Sequence, residues 1–247
     1  MTPAPAERRA FFVPGLLTIV GLAILIGLGT WQLERRAWKH ELIARLADRL
    51  AQTPRPLPPL QDWTKLTPAE DEFRRVTLRA TFAPAQEAFV YTSGSALRPD
   101  VSGAGYWILA PARLTGGDTV LVNRGFVPEA KRDPESRTAS PSTPVEITGV
   151  LRWPEERNLF TPADQPDKNL WFTRDPLAIA GTKGWGNVAP FYIEQETANA
   201  GGWPKAGPVA PRLSNNHLQY AITWFALAAG LAAVFAFWAR GQMRLSR

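Results

Sequence analysis

Apolar residues concentrate at the two ends of this 247-residue chain and alternate with polar ones between them. Residues 10–33 and 213–239 are long uncharged runs. A hydrocarbon core about 30 Å thick needs about 20 apolar residues in a helix, because no backbone polar group can stay unpaired in lipid. Both runs are long enough, and they predict two transmembrane helices. Arg8 and Arg9 before the first run resemble a secretory leader, but no A-x-A site follows and the helical pattern passes Glu34, so an uncleaved anchor is expected.

Beyond the first run, Leu33, Ala37, Leu42, Ile43, Leu46, Ala47 and Leu50 recur at helical spacing, and Arg36, Lys39, Glu41, Arg45, Asp48 and Arg49 largely fill the gaps. The pattern predicts an amphipathic juxtamembrane helix over 34–52, ended by Pro54, Pro56, Pro58 and Pro59. Strand-like alternation follows at 73–82, 87–92, 106–114, 119–127, 145–153, 170–174 and 191–194. Gly116, Gly117 and Asp118 read as a hairpin turn, and Asp175 with Pro176 as the start of a short helix over 176–180. Proline-rich loops occupy 133–144 and 203–211. The expected fold is therefore an α+β membrane protein, with two transmembrane helices flanking one mostly β extramembrane domain.

Charge sets the expected sidedness. Arg240, Arg244 and Arg247 follow the second run against Lys205 and Arg212 before it, which places the C-terminus in the cytoplasm. Around the first run the bias is reversed, with Arg8 and Arg9 facing Arg35, Arg36, Lys39, Arg45 and Arg49, but long translocated domains tolerate such charge. The expected layout is a cytoplasmic N-terminus at 1–9, spans at 10–33 and 213–239, an extracytoplasmic domain at 34–212 and a cytoplasmic C-terminus at 240–247. The net charge of +6 is spread along the chain, which suits anionic lipid headgroups, and no basic aromatic stripe points to nucleic acid. The absence of cysteine excludes disulfides, thiolate metal sites and c-type haem attachment.

Three clusters can carry chemistry. Gly29, Trp31, Gln32, Arg35 and Lys39 lie at the end of the first run, where Trp31, Arg35 and Lys39 are four apart and share a helix face. Composition alone favours an interfacial anchor, with snorkelling cations and an indole at headgroup level. The sharper reading is a docking surface for an acidic group, with Arg35 offering a bidentate fork to a carboxylate. Asn215, Asn216, His217, Gln219, Tyr220, Thr223 and Trp224 open the second run. Polar groups so close to hydrocarbon need a partner, water or headgroups, and a neutral imidazole there can also ligate a haem iron. Spacing alone favours a satisfied interfacial histidine. In the domain, Asn123, Arg124, Gly125 and Phe126, and Pro190, Phe191 and Tyr192, read chiefly as turn chemistry and paired charge. No Ser/His/Asp or Cys/His arrangement is present, so an enzyme is not expected.

Three stretches carry a family resemblance: Gly29-Thr-Trp31-Gln32-x-x-Arg35-x-x-x-Lys39, Val120-Leu-Val-Asn123-Arg124-Gly125-Phe126-Val-Pro128, and Asn215-Asn216-His217-Leu-Gln219-Tyr220-Ala-Ile-Thr223-Trp224-Phe225. Together with the layout they resemble the Surfeit locus protein 1 family over nearly the whole chain; many members carry Trp where this chain has Phe126. The resemblance implies an assembly factor for haem-copper cytochrome c oxidase in the bacterial inner membrane, with a periplasmic central domain. It also implies that haem a is a transient cargo, that His217 is its iron ligand, and that the partners are the catalytic subunit and the haem a-synthesising enzyme. Trp31, Trp224 and Tyr220 are then expected beside the ring, and Arg35 or Lys39 at a propionate. The rival expectation is a haem-independent scaffold that holds oxidase subunits through the β domain.

Overall fold

The computed structural model describes residues 5–95, 97–137, 139–210 and 215–245. The predicted start of the second span at Leu213, the flanking Arg212 and the final Arg247 lie outside the described residues. The chain divides into two compact units, Met1–Arg45 with Ser214–Arg247, and Leu46–Leu213.

The first unit is built on two helices, α1 (Pro5–Ala51) and α4 (His217–Leu245). Both are long and apolar enough to cross a membrane, with mean hydropathy of 2.3 and 1.9 in their most apolar windows. Only 11% of each window is buried, so these are not core helices of the kind a globular interior covers. α1 is continuous through residue 33 and beyond; Pro14 lies within it, and it ends just before the Pro54 cluster.

The second unit is the β domain. Its strands are β1 (Arg55–Pro56), β2 (Arg75–Phe82), β3 (Ala88–Gly94), β4 (Ser102–Leu114), β5 (Thr119–Pro128), β6 (Val145–Arg152), β7 (Leu170–Trp171) and β8 (Tyr192–Gln195). They form one sheet in the order β1-β2-β6-β8-β5-β4-β3-β7. A further pairing of Ala80–Phe82 with Ala112–Leu114 joins β2 back to β4, which closes β2, β6, β8, β5 and β4 into a ring. The long β4 makes this possible, since its first half pairs with β3 and its last residues with β2. Pairing is mixed: β1 with β2, β3 with β7 and β5 with β8 are parallel, and the rest antiparallel.

Alternation along the strands separates two cores. Val76, Leu78, Ala80 and Phe82 of β2 meet Ala112, Val122, Ile147 and Ile193 from the other ring strands, and Trp63 packs edge-on to Phe191 with centroids 5.4 Å apart. The opposite faces of β4 and β5 carry Trp107, Leu109 and Leu121, which pack with β3, β7 and the helix α3 (Pro176–Lys183). α3 begins as expected, with Asp175 Oδ1 accepting from the Leu177 and Ala178 amides and Pro176 in the first turn; it runs on to Lys183, where Gly184 adopts φ +67°. The last turn of α1 belongs to this domain: Leu46 and Leu50 pack on a cluster of Phe73, Val150 and Val209, and Arg49 donates to the carbonyls of Glu72 and Ala69.

The short elements differ from the alternation pattern. The strand expected over 170–174 stops at Trp171, because Arg174 turns into a buried ion cluster. Phe73 is not in a strand; it has φ +66° and stacks under Arg152, 4.2 Å from its ring centroid. β1 and the short helix α2 (Pro68–Asp71) are additions within the proline-rich segment, α2 being capped by Thr67.

A buried arginine ties the β3–β4 connection to the 205 region. Arg98, 1% exposed, donates to Asp100 at 2.9 and 2.8 Å and to the Lys205 carbonyl at 3.3 Å. The hydrogen bonds from Arg98 hold the Asp100 carboxyl well below the usual carboxylate range, against the opposing effect of burial. A depressed folded-state value means that Asp100 contributes stability above its unfolded value of about 3.9, and the contribution is lost as pH falls through the lower folded value. Asp100→Asn should therefore flatten the decline in urea midpoint below about pH 4. An unchanged acid limb would remove Asp100 from that role.

Candidate functional site

The site is assembled by α1 and α4 at the ends that meet residues 32–36 and 215–217. A Cβ added at Gly29 would lie 2.6 Å from the Phe225 ring, one at Gly21 2.9 Å from Leu231, and one at Gly15 3.7 Å from Phe235. Rising numbers on α1 thus meet falling numbers on α4, and the two helices run antiparallel. Gly29 is buried, and Ala221 and Ala228 are 1% and 6% exposed in the same seam. Small residues at these points let the backbones approach. The small-x-x-x-small pairs most visible in the sequence are not those used: Ala23, Gly27, Ala226 and Gly230 are all exposed.

At the polar end of the seam, one helical turn beyond Gly29, Gln32 Oε1 lies 2.7 Å from His217 Nδ1. A glutamine carbonyl oxygen only accepts, so Nδ1 is the donor in this pairing, and a neutral ring paired in this way keeps its lone pair on Nε2. Asn215 Nδ2 donates to the Arg36 carbonyl at 3.5 Å, and the Asn216 carbonyl accepts from the Tyr220 amide. His217 is the first residue of α4, so its side chain projects at the helix mouth, half-buried.

The other predicted residues are placed around this pair. Trp224, half-buried, lies two turns from His217 on the same helix face, and Tyr220 is 56% exposed beside it. Trp31 is 52% exposed, Lys39 is half-buried, and both share a stripe of α1 with Arg35. The Arg35 guanidinium sits 4.1 Å from the Trp38 ring centroid and has no carboxylate partner among the described residues. No hydrogen bond or ring contact joins Trp31, Arg35, Lys39, Tyr220 or Trp224 to His217 among the described residues; only Gln32 does. Among the described residues no three His, Cys, Asp or Glu side chains gather closely enough to hold an ion, and His217 stands apart from any such group.

The cluster in the β domain has a structural explanation. Arg124 is 1% exposed, donating to Glu87 at 3.2 Å, to Ser140 at 2.6 Å and to the Ala139 carbonyl at 3.4 Å. Burial lowers the Arg124 pKa from its ordinary value, against the pull of Glu87. Arg137 grips the same Glu87 with both terminal nitrogens. Asn123 Oδ1 accepts from the Gly125 amide, and Tyr192, fully buried, has its hydroxyl pushed up to about 12 by burial. Arg174 makes a comparable cluster with Glu194 and Glu155.

The model of the SURF1 family matches residues 19–229. The chain belongs to the SURF1 family. It is 36% identical to the human Surfeit locus protein 1 over 237 residues, covering 91% of this chain and 76% of that one. The rat protein of the same name is 35% identical over 238 residues, covering 92% and 75%. A SURF1-like protein of Monosiga brevicollis is 34% identical over 226 residues, covering 87% and 83%. These relatives are eukaryotic.

For this SURF1-family chain the match includes both helix segments of the site. Gln32 is the residue whose role the sequence reading missed. It stood in the first cluster, but the only signal was its place three residues after Gly29, on the face that a close-approach glycine turns toward a neighbour.

Proposed function

We propose that this chain is an assembly factor for haem-copper cytochrome c oxidase that holds haem a at the α1–α4 pair and assists its insertion into the catalytic subunit. The single observation that carries this reading is the Gln32–His217 pairing. It fixes the ring and directs the proton to Nδ1, which leaves Nε2 as a Lewis base at a helix mouth. A ligating histidine typically has its second nitrogen engaged in this way.

The surrounding residues suit such a cargo. Trp224, Tyr220 and Trp31 offer flat apolar surface, and Arg35 and Lys39 offer cations to propionates. One axial ligand and a half-open setting favour release, which a carrier needs. The chain has no catalytic role in this reading. Its partners are the oxidase catalytic subunit, the haem a-synthesising enzyme and membrane lipids, and its setting is the bacterial inner membrane, crossed twice, with the β domain in the periplasm. A haem-independent scaffold is the second reading. The observation that favours it is that Gln32 already satisfies one nitrogen of His217.

The test is a visible spectrum of the detergent-purified chain from cells making haem a. The wild type should show a Soret band and His217→Ala should lose it. Gln32→Leu should bind about 10–100-fold more weakly, the usual cost of losing a partner that orients a ligand. Equal haem in wild type and His217→Ala would remove the ligand claim, and a wild type with no Soret band would favour the scaffold. A fully haem-loaded oxidase in a strain lacking the gene would end the assembly role itself.

A further inference from the structure

Between β6 and β7 the chain projects a turn whose tip carries Leu159 and Phe160, 100% and 92% exposed. Single exposed apolar residues are ordinary on protein surfaces, but an adjacent Leu-Phe pair wholly in solvent is not. The turn is also braced from within. The Asn158 amide donates to Thr161 Oγ1 at 3.0 Å, the Phe160 amide to Asn158 Oδ1 at 2.9 Å, and the Thr161 amide to the Asn158 carbonyl at 3.0 Å. At its base Arg157 pairs with Asp164 at 2.9 Å, and Asp164 also accepts from the Phe172 amide at 2.8 Å. The tip from 158 to 163 thus carries no charge, and much of its backbone hydrogen bonding is met internally.

We infer that this tip is a lipid-contacting wedge, with Leu159 and Phe160 inserted at the headgroup–acyl boundary of the bilayer that α1 and α4 cross. The inference rests on reading those helices as membrane spans. Three arguments select lipid over a protein partner. Internally paired amides and the absence of charge lower the cost of leaving water. A phenylalanine and a leucine offer far less than the roughly 800 Å² per partner of a stable protein interface. A domain joined at both ends to spanning helices meets the bilayer at high effective concentration, so a contact too weak for free association is still populated.

The chain has no cysteine, so one introduced thiol is uniquely labelled. Ala163→Cys, exposed beside the tip, is labelled with an environment-sensitive fluorophore and the full chain is reconstituted in phosphatidylcholine vesicles with or without brominated acyl chains. Bromine should dim the probe and iodide should reach it poorly; adding Leu159→Ser and Phe160→Ser should abolish both effects. Val234→Cys, exposed on α4, reports separately on the span. Dimming at Val234 with none at Ala163 overturns the wedge alone. No dimming at either position overturns the membrane reading beneath it. Shielding of Ala163 only when purified oxidase is added assigns the tip to a protein partner and also overturns the wedge.

Discussion

Glu87→Gln should lower the stability of the β domain by about 3–5 kcal/mol, the usual consequence of removing one member of a buried ion pair. Glu87 is the only carboxylate that meets Arg124 and Arg137 among the described residues, and both guanidinium side chains are 1% exposed. Neutralising it leaves two buried cations facing each other without compensation, and the amide cannot restore the bidentate grip on Arg137. Denaturant unfolding followed by tryptophan fluorescence would measure the loss. The mechanism makes a second, less intuitive demand. Glu87→Leu combined with Arg124→Met and Arg137→Met should cost less than Glu87→Gln alone, because the desolvation penalty leaves with the charges. A triple variant weaker than the single one would show that the cluster is held by specific geometry rather than by charge balance.

Gly125→Ala should cost on the order of 4 kcal/mol, a size reached by few mechanisms besides overpacking and strain at a special backbone conformation. Both act here. Gly125 has φ +122°, and a Cβ would lie 2.3 Å from the carbonyl carbon of Lys205 and 2.4 Å from the Ala206 nitrogen. These are backbone atoms that cannot swing aside. They are also held in place: the Phe126 amide donates to the Lys205 carbonyl at 3.2 Å, the Lys205 amide to the Phe126 carbonyl at 2.7 Å, and Asn199 donates to the Arg124 carbonyl at 2.8 Å. The alanine must break this pairing or bend β5. The expected results are a lowered unfolding midpoint and faster proteolysis within 199–207; a wild-type midpoint with wild-type cleavage would refute the close approach.

Much of the β domain was legible because its strands face a core on one side or both. The alternation of Val76, Leu78, Ala80 and Phe82 could be read without knowing the partner strands. The hairpin joining β4 and β5 at Gly116 and Gly117, and the Asp175–Pro176 helix start, were legible because turn and cap chemistry is local. Closure of the ring was not, since it depends on three residues of β2 meeting three of β4 about thirty positions away, and pairing partners leave no mark in either strand. β1 was hidden for a related reason: two residues, one of them a proline, make no period.

At the helix pair the division is sharper. His217, Trp31, Arg35, Lys39, Tyr220 and Trp224 were singled out from residue type and spacing, yet spacing on one helix cannot say which side faces the other. The seam uses Gly21, Gly29, Ala221 and Ala228 instead of the more conspicuous Ala23–Gly27 and Ala226–Gly230 pairs. That choice rotates Gln32 onto His217.

By itself, then, the sequence determined the two apolar helices, the sheet-forming middle and the identity of the polar residues at the helix mouths, because hydrophobic period, turn chemistry and residue type act over a few neighbouring positions. Only the tertiary structure decided that the strands close into a ring, that Arg124 is a buried counter-charge to Glu87, and that Gln32 meets the His217 ring. Each of these is a contact between segments far apart in the chain, and its energy comes from packing and charge pairing that exist only once both partners are in place.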